Sequence, residues 1–204
     1  MSDSPLLIAG LGNPGIDYAR NRHNVGFMAV DVIHDSYDFG PWRSRFQGAI
    51  AEGKLAGRKT YLLKPGTFMN ESGLSVGAAV HFFKLEPGSI IVMHDEIDLA
   101  AAKLRAKEGG GDAGHNGLRS ITSAIGPDYR RVRIGVGHPG DKARVHGHVL
   151  QNFSKADEDW LIPLLSAIAD AAPYLAKDDD AGFMNKVAVK LNPPEKKPKP
   201  GEDA

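Results

Sequence analysis

Two runs of consecutive apolar residues stand out from an otherwise mixed chain: Leu6-Leu7-Ile8-Ala9 and Ile90-Ile91-Val92-Met93. Short apolar runs bounded by turn residues mark strands buried on both faces, as in a parallel or mixed sheet. The first run ends in Gly10-Leu11-Gly12-Asn13-Pro14-Gly15 and the second in His94-Asp95-Glu96. Elsewhere the period changes. Val25, Met28, Ala29, Val32 and Ile33 keep helical spacing, and a helix there fades before the breaker Phe39-Gly40-Pro41. Residues 46–52 and 58–63 read as strands paired across the turn at 53–57. A helix from Ser72, with Leu74, Ala78 and Phe82 on one face, closes at Pro87-Gly88. Residues 102–106 read as a short strand, 118–125 as a helix, and the alternating 131–137 as a strand turned by His138-Pro139-Gly140. Residues 157–175 are helical in pattern, with Pro163 and Pro173 expected to kink or divide them, and a last helix covers about 180–190. Residues 108–117 (EGGGDAGHNG) hold too much glycine for regular structure and read as a mobile loop. The interleaving of strands and helices makes the class α/β, one domain over 1–191. A charged, proline-rich tail at 192–204 is expected to be disordered.

Composition narrows the function classes. A chain of 204 residues suits one domain with a sizeable core. It contains no cysteine, which excludes disulfides and thiolate chemistry and suits a reducing cytoplasm. No apolar run approaches the length of a membrane span, and MSDSPLLIAGLG lacks the features of a signal peptide. A soluble, cytoplasmic protein without a membrane partner is expected. The net charge of zero conceals a division: residues 103–144 carry nine basic and four acidic side chains, and residues 154–180 seven acidic and two basic. That suggests a basic face, where a phosphate backbone would bind, opposite an acidic one. Two ordinary solvated faces are the plainer alternative.

Several motifs invite chemistry. Gly10-x-Gly12-x-x-Gly15 after a strand matches the dinucleotide fingerprint. That fold needs a helix directly after the glycines and an acid at the end of a second strand. Here residues 17–22 delay the helix, and Asp31 and Asp35 fall on or just past it. His146-x-His148 would put two imidazoles on one strand face, as a metal site could use, but no third ligand is near in sequence. There is no Gly-x-Ser-x-Gly elbow. What remains is a set of asparagines after strand or loop ends, Asn13, Asn70 and Asn116, with Asp95 ending an apolar strand. A carboxamide both donates and accepts, which suits holding a peptide-like group; its plain role is in turns and caps. His23 needs a carboxylate to act as a base, and Asp95 or Glu96 could supply it.

Taken together, six motifs resemble the bacterial peptidyl-tRNA hydrolase family. They are Gly10-Leu11-Gly12-Asn13-Pro14-Gly15 with Tyr18; Arg22-His23-Asn24-x-Gly26-Phe27; Lys64-Pro65-x-Thr67-Phe68-Met69-Asn70; His94-Asp95-Glu96-x-Asp98; Gly109-Gly110-x-x-x-Gly114-His115-Asn116-Gly117-Leu118-Arg119-Ser120; and Arg133-Ile134-Gly135-x-Gly137-His138-Pro139. The likeness covers roughly residues 6–190. Two departures are Asn21, where the family usually has threonine, and the tail beyond Asn192. The resemblance implies a monomeric three-layer α/β/α sandwich with a mixed, twisted sheet. It implies hydrolysis of the ester between a peptide and tRNA, without metal or cofactor. By position it makes His23 the general base, Asp95 the carboxylate that orients it, and Asn13 the residue that separates N-blocked from free aminoacyl-tRNA. Tyr18, Phe68, Asn70 and Asn116 become substrate contacts, with Met69 and His115 close by, and Lys107 and Arg133 clamp the 5′-phosphate end of the tRNA. Loop 108–117 is placed to gate the cleft. A non-catalytic RNA-binding module and a nucleotide-dependent oxidoreductase are the competing readings.

Overall fold

A computed structural model describes residues 4–193. Its middle layer is a seven-stranded mixed sheet of β1 (Leu6–Gly10), β2 (Arg43–Arg45), β3 (Gly48–Leu55), β4 (Arg58–Pro65), β5 (Ile90–Glu96), β6 (Leu104–Glu108) and β7 (Arg130–Gly135). The spatial order is β2-β3-β4-β1-β5-β7-β6. The four central strands, β4, β1, β5 and β7, run parallel, while β3 and β6 pair antiparallel on either side of them. The two apolar runs are therefore neighbours at the centre.

Side-chain alternation explains why those runs are apolar at every position. Leu6 and Ile8 enter the core shared with α1 (Val25–Ser36), α5 (Glu158–Ala176) and α6 (Asp180–Leu191). Leu7 and Ala9 enter the core shared with α2 (Ser72–Phe83) and α3 (Asn116–Ile125). A strand covered on both faces has no solvent side on which to place a polar residue. The result is the expected three-layer sandwich, with one short extra helix, α4 (Val145–Val149).

Several boundaries differ from the sequence expectation, each for a local reason. β2 is three exposed residues and leaves no apolar trace. Phe46 and Gln47 take φ of +55° and +49° in the turn after it, so β3 begins at Gly48 rather than at 46. β6 lies two residues later than expected, over Leu104–Glu108, which trims the glycine-rich loop at its start. α3 begins at Asn116, so the loop is trimmed at its end as well.

Neither proline divides α5, which runs from Glu158 to Ala176. Pro173 cannot donate to the carbonyl of Ala169, and the Tyr37 hydroxyl donates to that oxygen instead, at 2.9 Å. Pro163 frees the carbonyl of Asp159, a residue exposed to solvent. Of the expected tail, residues 194–204 lie outside the described residues.

Backbone contact ties α1 to the centre of the sheet. A Cβ on Gly10 would stand 2.2 Å from the carbonyl oxygen of Gly26, and one on Gly26 would stand 2.3 Å from that of Met93. A Cβ on Gly12 would meet the Phe27 ring at 2.7 Å. Gly10 and Gly12, two of the three fingerprint glycines, thus admit the start of α1, not a phosphate, and the nucleotide reading loses its cradle. Gly26→Ala should cost about 1–3 kcal/mol of stability by overpacking. Urea unfolding checks this, and an unchanged midpoint would show that the backbones can part.

Candidate active site

The parallel strands end together, and the polar residues of the site stand just beyond those ends, where ligands of open α/β sheets bind. Asp95 is the penultimate residue of β5 and is only 3% exposed. His23 lies in a 3-10 turn (Arg22–Asn24) directly before α1, which the Gly10–Gly26 contact presses against β1 and β5. Its Nδ1 is 2.8 and 3.0 Å from the two carboxylate oxygens of Asp95. An ionised carboxylate only accepts, so Nδ1 carries the proton and Nε2 keeps its lone pair.

A second histidine shares that carboxylate. His115 precedes α3 and caps it: Nδ1 accepts from the backbone N–H of Gly117 and Leu118, at 3.2 and 3.3 Å. In the neutral ring the proton then belongs on Nε2, which donates to Asp95 Oδ1 at 3.0 Å. Burial alone would push Asp95 toward the neutral acid, but His23 and His115 hold it ionised, well below the usual carboxylate range. For His23, burial lowers the pKa, whereas the charge of Asp95 and its hydrogen bond raise it; the net direction is upward from 6.5.

His23, Asp95 and His115 place ligand atoms within 4.8 Å of one another, a spacing that could hold a cation. The cap argues against it, because His115 has no lone pair on Nε2 while Nδ1 accepts from α3. His146 and His148 fall on α4 rather than on a strand, where residues two apart point in different directions. His148 Nε2 instead lies 3.2 Å from the carbonyl of Val136. The strand-face pair expected from the sequence is not formed.

Beside Asp95, His94 is 1% exposed and donates from Nδ1 to its neighbour's carbonyl at 2.7 Å. Its Nε2 is buried without a partner. Burial, assisted by the adjacent His115, pulls its pKa down to about 3. The unfolded chain takes up this proton below about 6.5 and the folded chain does not until about 3, so acidification across that window favours unfolding. The expected slope is about 1.4 kcal/mol per pH unit at most. Urea unfolding between pH 4 and 6 should show it in the wild type and a flatter slope in His94→Gln; equal slopes would contradict the assignment.

Asn13 is held rigidly. Its backbone N–H and carbonyl both bond the side chain of Asn24, at 2.9 Å each, and its own Oδ1 accepts from the Met69 N–H at 2.8 Å. With the oxygen committed, Nδ2 is left as the donor available to a ligand. The same bond joins the β1 loop to the β4 loop, which carries Phe68 and Asn70. Tyr18 and Phe68 meet edge to face at 6.4 Å, and Phe68 is 55% exposed. Met69 is buried under Gly117, while Asn70 and Asn116 are exposed at the starts of α2 and α3. Asn21, the departure from the family pattern, is buried and donates to Asn152 Oδ1 at 2.7 Å. It fastens the His23 turn to the segment after α4 and lies outside the chemistry.

A cavity of about 530 Å³ is lined by His23, Asp95, His115, Asn116, Lys142 and Val149; Asn13, Tyr18, Phe68 and Asn70 are not among its lining residues. Lys107 and Arg133 stand farther out, on the last two strands. Arg105 pairs with Arg133 and Lys107 with Arg131 across the β6–β7 ladder, so all four project from one face. Arg133 Nε donates to Glu96 Oε2 at 2.9 Å.

The expected division into basic and acidic faces is only partly realised. Arg131 is buried and donates to the carbonyls of Gly110 and Gly111 at 2.8 Å each, bracing the glycine-rich loop. Arg130 is buried against Asp178 and Asp180, so part of the basic segment neutralises the acidic one. Arg105, Lys107 and Arg133 remain as the basic edge. The structure brings together His23 and Asp95, the pair that the sequence suggested, and adds a bond from His115 to Asp95 and a buried His94 that sequence reasoning missed. The expected helix began at 118, three residues past His115, so only the observed start at Asn116 reveals His115 as the cap.

The sequence profile of the family described as peptidyl-tRNA hydrolase matches residues 7–198. The chain is 59% identical over 199 residues to the peptidyl-tRNA hydrolase of Parvibaculum lavamentivorans, covering 97% of each chain. It is 61% identical over 184 residues to that of Mesorhizobium japonicum, covering 90% of this chain and 77% of the relative. The crystal structure of peptidyl-tRNA hydrolase from Acinetobacter baumannii superposes with a TM-score of 0.85 at 39% identity, over 92% of this chain and 95% of that one. The chain belongs to the peptidyl-tRNA hydrolase family.

Proposed function

We propose that this chain hydrolyses the ester linking a peptide, or an N-blocked aminoacyl group, to the ribose of tRNA, with His23 as general base. The observation that carries the reading is the His23–Asp95 pair, held through Nδ1 so that Nε2 keeps its lone pair, in a cleft that Asn116 also lines. A water at Nε2 loses a proton to His23 as its oxygen attacks the ester carbonyl. The tetrahedral oxyanion collapses, and the ribose oxygen leaves with the proton returned by the imidazolium. Free acid and free tRNA result, with no covalent enzyme intermediate, metal or cofactor. General-base assistance is worth roughly 10²–10⁴ in rate, and one donor to an oxyanion roughly 10²–10³.

Asn13 supports selectivity. Its Nδ2 donors suit the neutral acylated amide of a blocked substrate, whereas a free α-ammonium offers only donors in return. The basic edge of Arg105, Lys107 and Arg133 suits the acceptor arm and 5′-phosphate of tRNA, read by charge and shape. Among the described residues no helix is long and apolar enough to cross a membrane.

Incubation with N-acetylaminoacyl-tRNA tests the reading. Chelator-insensitive release of tRNA is expected. Binding without release would leave an RNA-binding module, and saturable binding of NADH would restore the oxidoreductase reading. Lys107→Ala and Arg133→Ala should each raise KM for full-length tRNA and reduce the salt slope of binding by about 1. An equal loss on a minimal ester without the tRNA body would contradict the clamp.

A further inference from the structure

The edge of the sheet opposite β6 carries a second cluster of cations, interleaved with aromatic rings. β2 is the terminal strand there, six strand spacings or about 29 Å from β6. Arg43 pairs with Ile50 of β3, and Ile50 enters the core shared with α2 and α3. Arg43 and Arg45, two residues apart, therefore project from the face of the sheet that α2 covers. The Arg45 guanidinium lies 4.0 Å from the centre of the Phe82 ring and 4.6 Å from that of Phe46. Those rings pack against each other with centroids 5.4 Å apart, and Phe83 backs them at 5.5 and 5.1 Å.

Two features set the cluster apart from ordinary surface. The first is uncompensated charge. Among the described residues no carboxylate or carbonyl accepts from Arg43 or Arg45. No acidic residue occurs at 39–51 or at 72–85, and Glu52, the next acid along β3, is taken by Lys59 at 2.9 Å. The second is strain. Arg45 pairs with Gly48 across the two-residue turn Phe46-Gln47, whose φ angles are +55° and +49°. Such turns usually take asparagine and glycine. Phenylalanine bears the left-handed conformation here, and its ring completes the platform under Arg45. Phe82, the other half of that platform, is 56% exposed.

We propose that this edge binds single-stranded RNA other than the acceptor arm held for hydrolysis, with phosphates on Arg43 and Arg45 and a base stacked on the Arg45–Phe82 platform. A guanidinium lying on a ring offers its outer plane to a base and its rim of N–H donors to phosphate. Residues two apart on a strand stand about 6.6 Å apart, close to the step between phosphates of an extended RNA strand. Duplex RNA keeps its bases paired, so the platform selects unpaired strand. An acidic peptide would satisfy the charges but has no base for the platform.

Fluorescence anisotropy of a labelled, unpaired 12-nucleotide RNA with the full chain tests this. Saturable binding is expected, with duplex RNA of the same length bound more weakly. Phe82→Ala should weaken binding roughly 5- to 150-fold, whereas Phe82→Tyr keeps the ring and should retain it. Arg43→Ala and Arg45→Ala should each reduce the slope of log affinity against log salt by about 0.7. If Phe82→Ala fails to fold, Arg45→Gln, at an exposed position, should show the loss of affinity instead. Lys107→Ala, on the far edge, should cost much less. Release of tRNA from N-acetylaminoacyl-tRNA should continue at the wild-type rate in Arg45→Ala; a parallel loss would make this edge part of the substrate site and contradict a second RNA. No saturable binding, an equal loss in Lys107→Ala, or displacement by polyglutamate or phosphatidylglycerol vesicles as readily as by unlabelled RNA would overturn the proposal.

Discussion

Replacing His23 with alanine should lower kcat by about 10²–10⁴-fold while KM for N-acetylaminoacyl-tRNA stays near that of the wild type. The imidazole sits on a turn whose position is fixed by backbone contact between α1 and β1, so its removal subtracts a base without moving the asparagines. The basic edge is on other strands and keeps its hold on tRNA. Single-turnover release with enzyme in excess measures the chemical step directly. Full turnover by His23→Ala would end the proposed mechanism even if the activity itself stood.

Asp95→Asn is expected to fall in the same rough 10²–10⁴ range, for a different reason and with a different signature. The carboxylate fixes the His23 tautomer and raises its pKa against the burial that lowers it. The working base is neutral, so activity in the wild type should rise with pH through a midpoint above 6.5. Without the anion, burial acts alone and the acidic limb of kcat/KM should move below 6.5. An amide can also present its NH₂ to Nδ1 and so favour the tautomer with Nε2 protonated, which cannot accept from water.

Stability runs the other way. A raised folded pKa contributes stability that is fully present below the unfolded value and lost as pH rises through the folded one. The His23–Asp95 pair thus holds the fold most firmly in the protonation state that cannot catalyse. A limb that stays in place in Asp95→Asn would mean that another group sets the pH dependence.

The sequence made legible whatever a local pattern can carry. Two apolar runs located the central strands, and polar residues after them located the end of the sheet where the site lies. Features that depend on distant partners were not legible. Pro173 reads as a helix breaker until Tyr37 takes the carbonyl it frees, that of Ala169, 132 residues from Tyr37 in sequence. Asn13 reads as a turn residue until the Met69 N–H claims its oxygen and leaves its nitrogen as donor. The charge count treated Arg130 and Arg131 as surface, although both are buried, one against aspartates and one under loop carbonyls. β2 escaped notice because an exposed three-residue edge needs no apolar pattern. His115 was placed among substrate contacts by resemblance, whereas its cap and its bond to Asp95 emerge only when α3 and β5 meet.

In the proposed mechanism Asp95 makes His23 the base that sets the rate. Long-range ¹H–¹⁵N spectra of labelled protein can follow both nitrogens of His23 through a pH titration, alongside the pH profile of kcat/KM on N-acetylaminoacyl-tRNA. A neutral His23 protonated on Nδ1 is expected, with a midpoint above 6.5 that coincides with the kinetic limb. Both should fall together in Asp95→Asn. A neutral His23 protonated on Nε2, or a midpoint that departs from the kinetic limb, would contradict it.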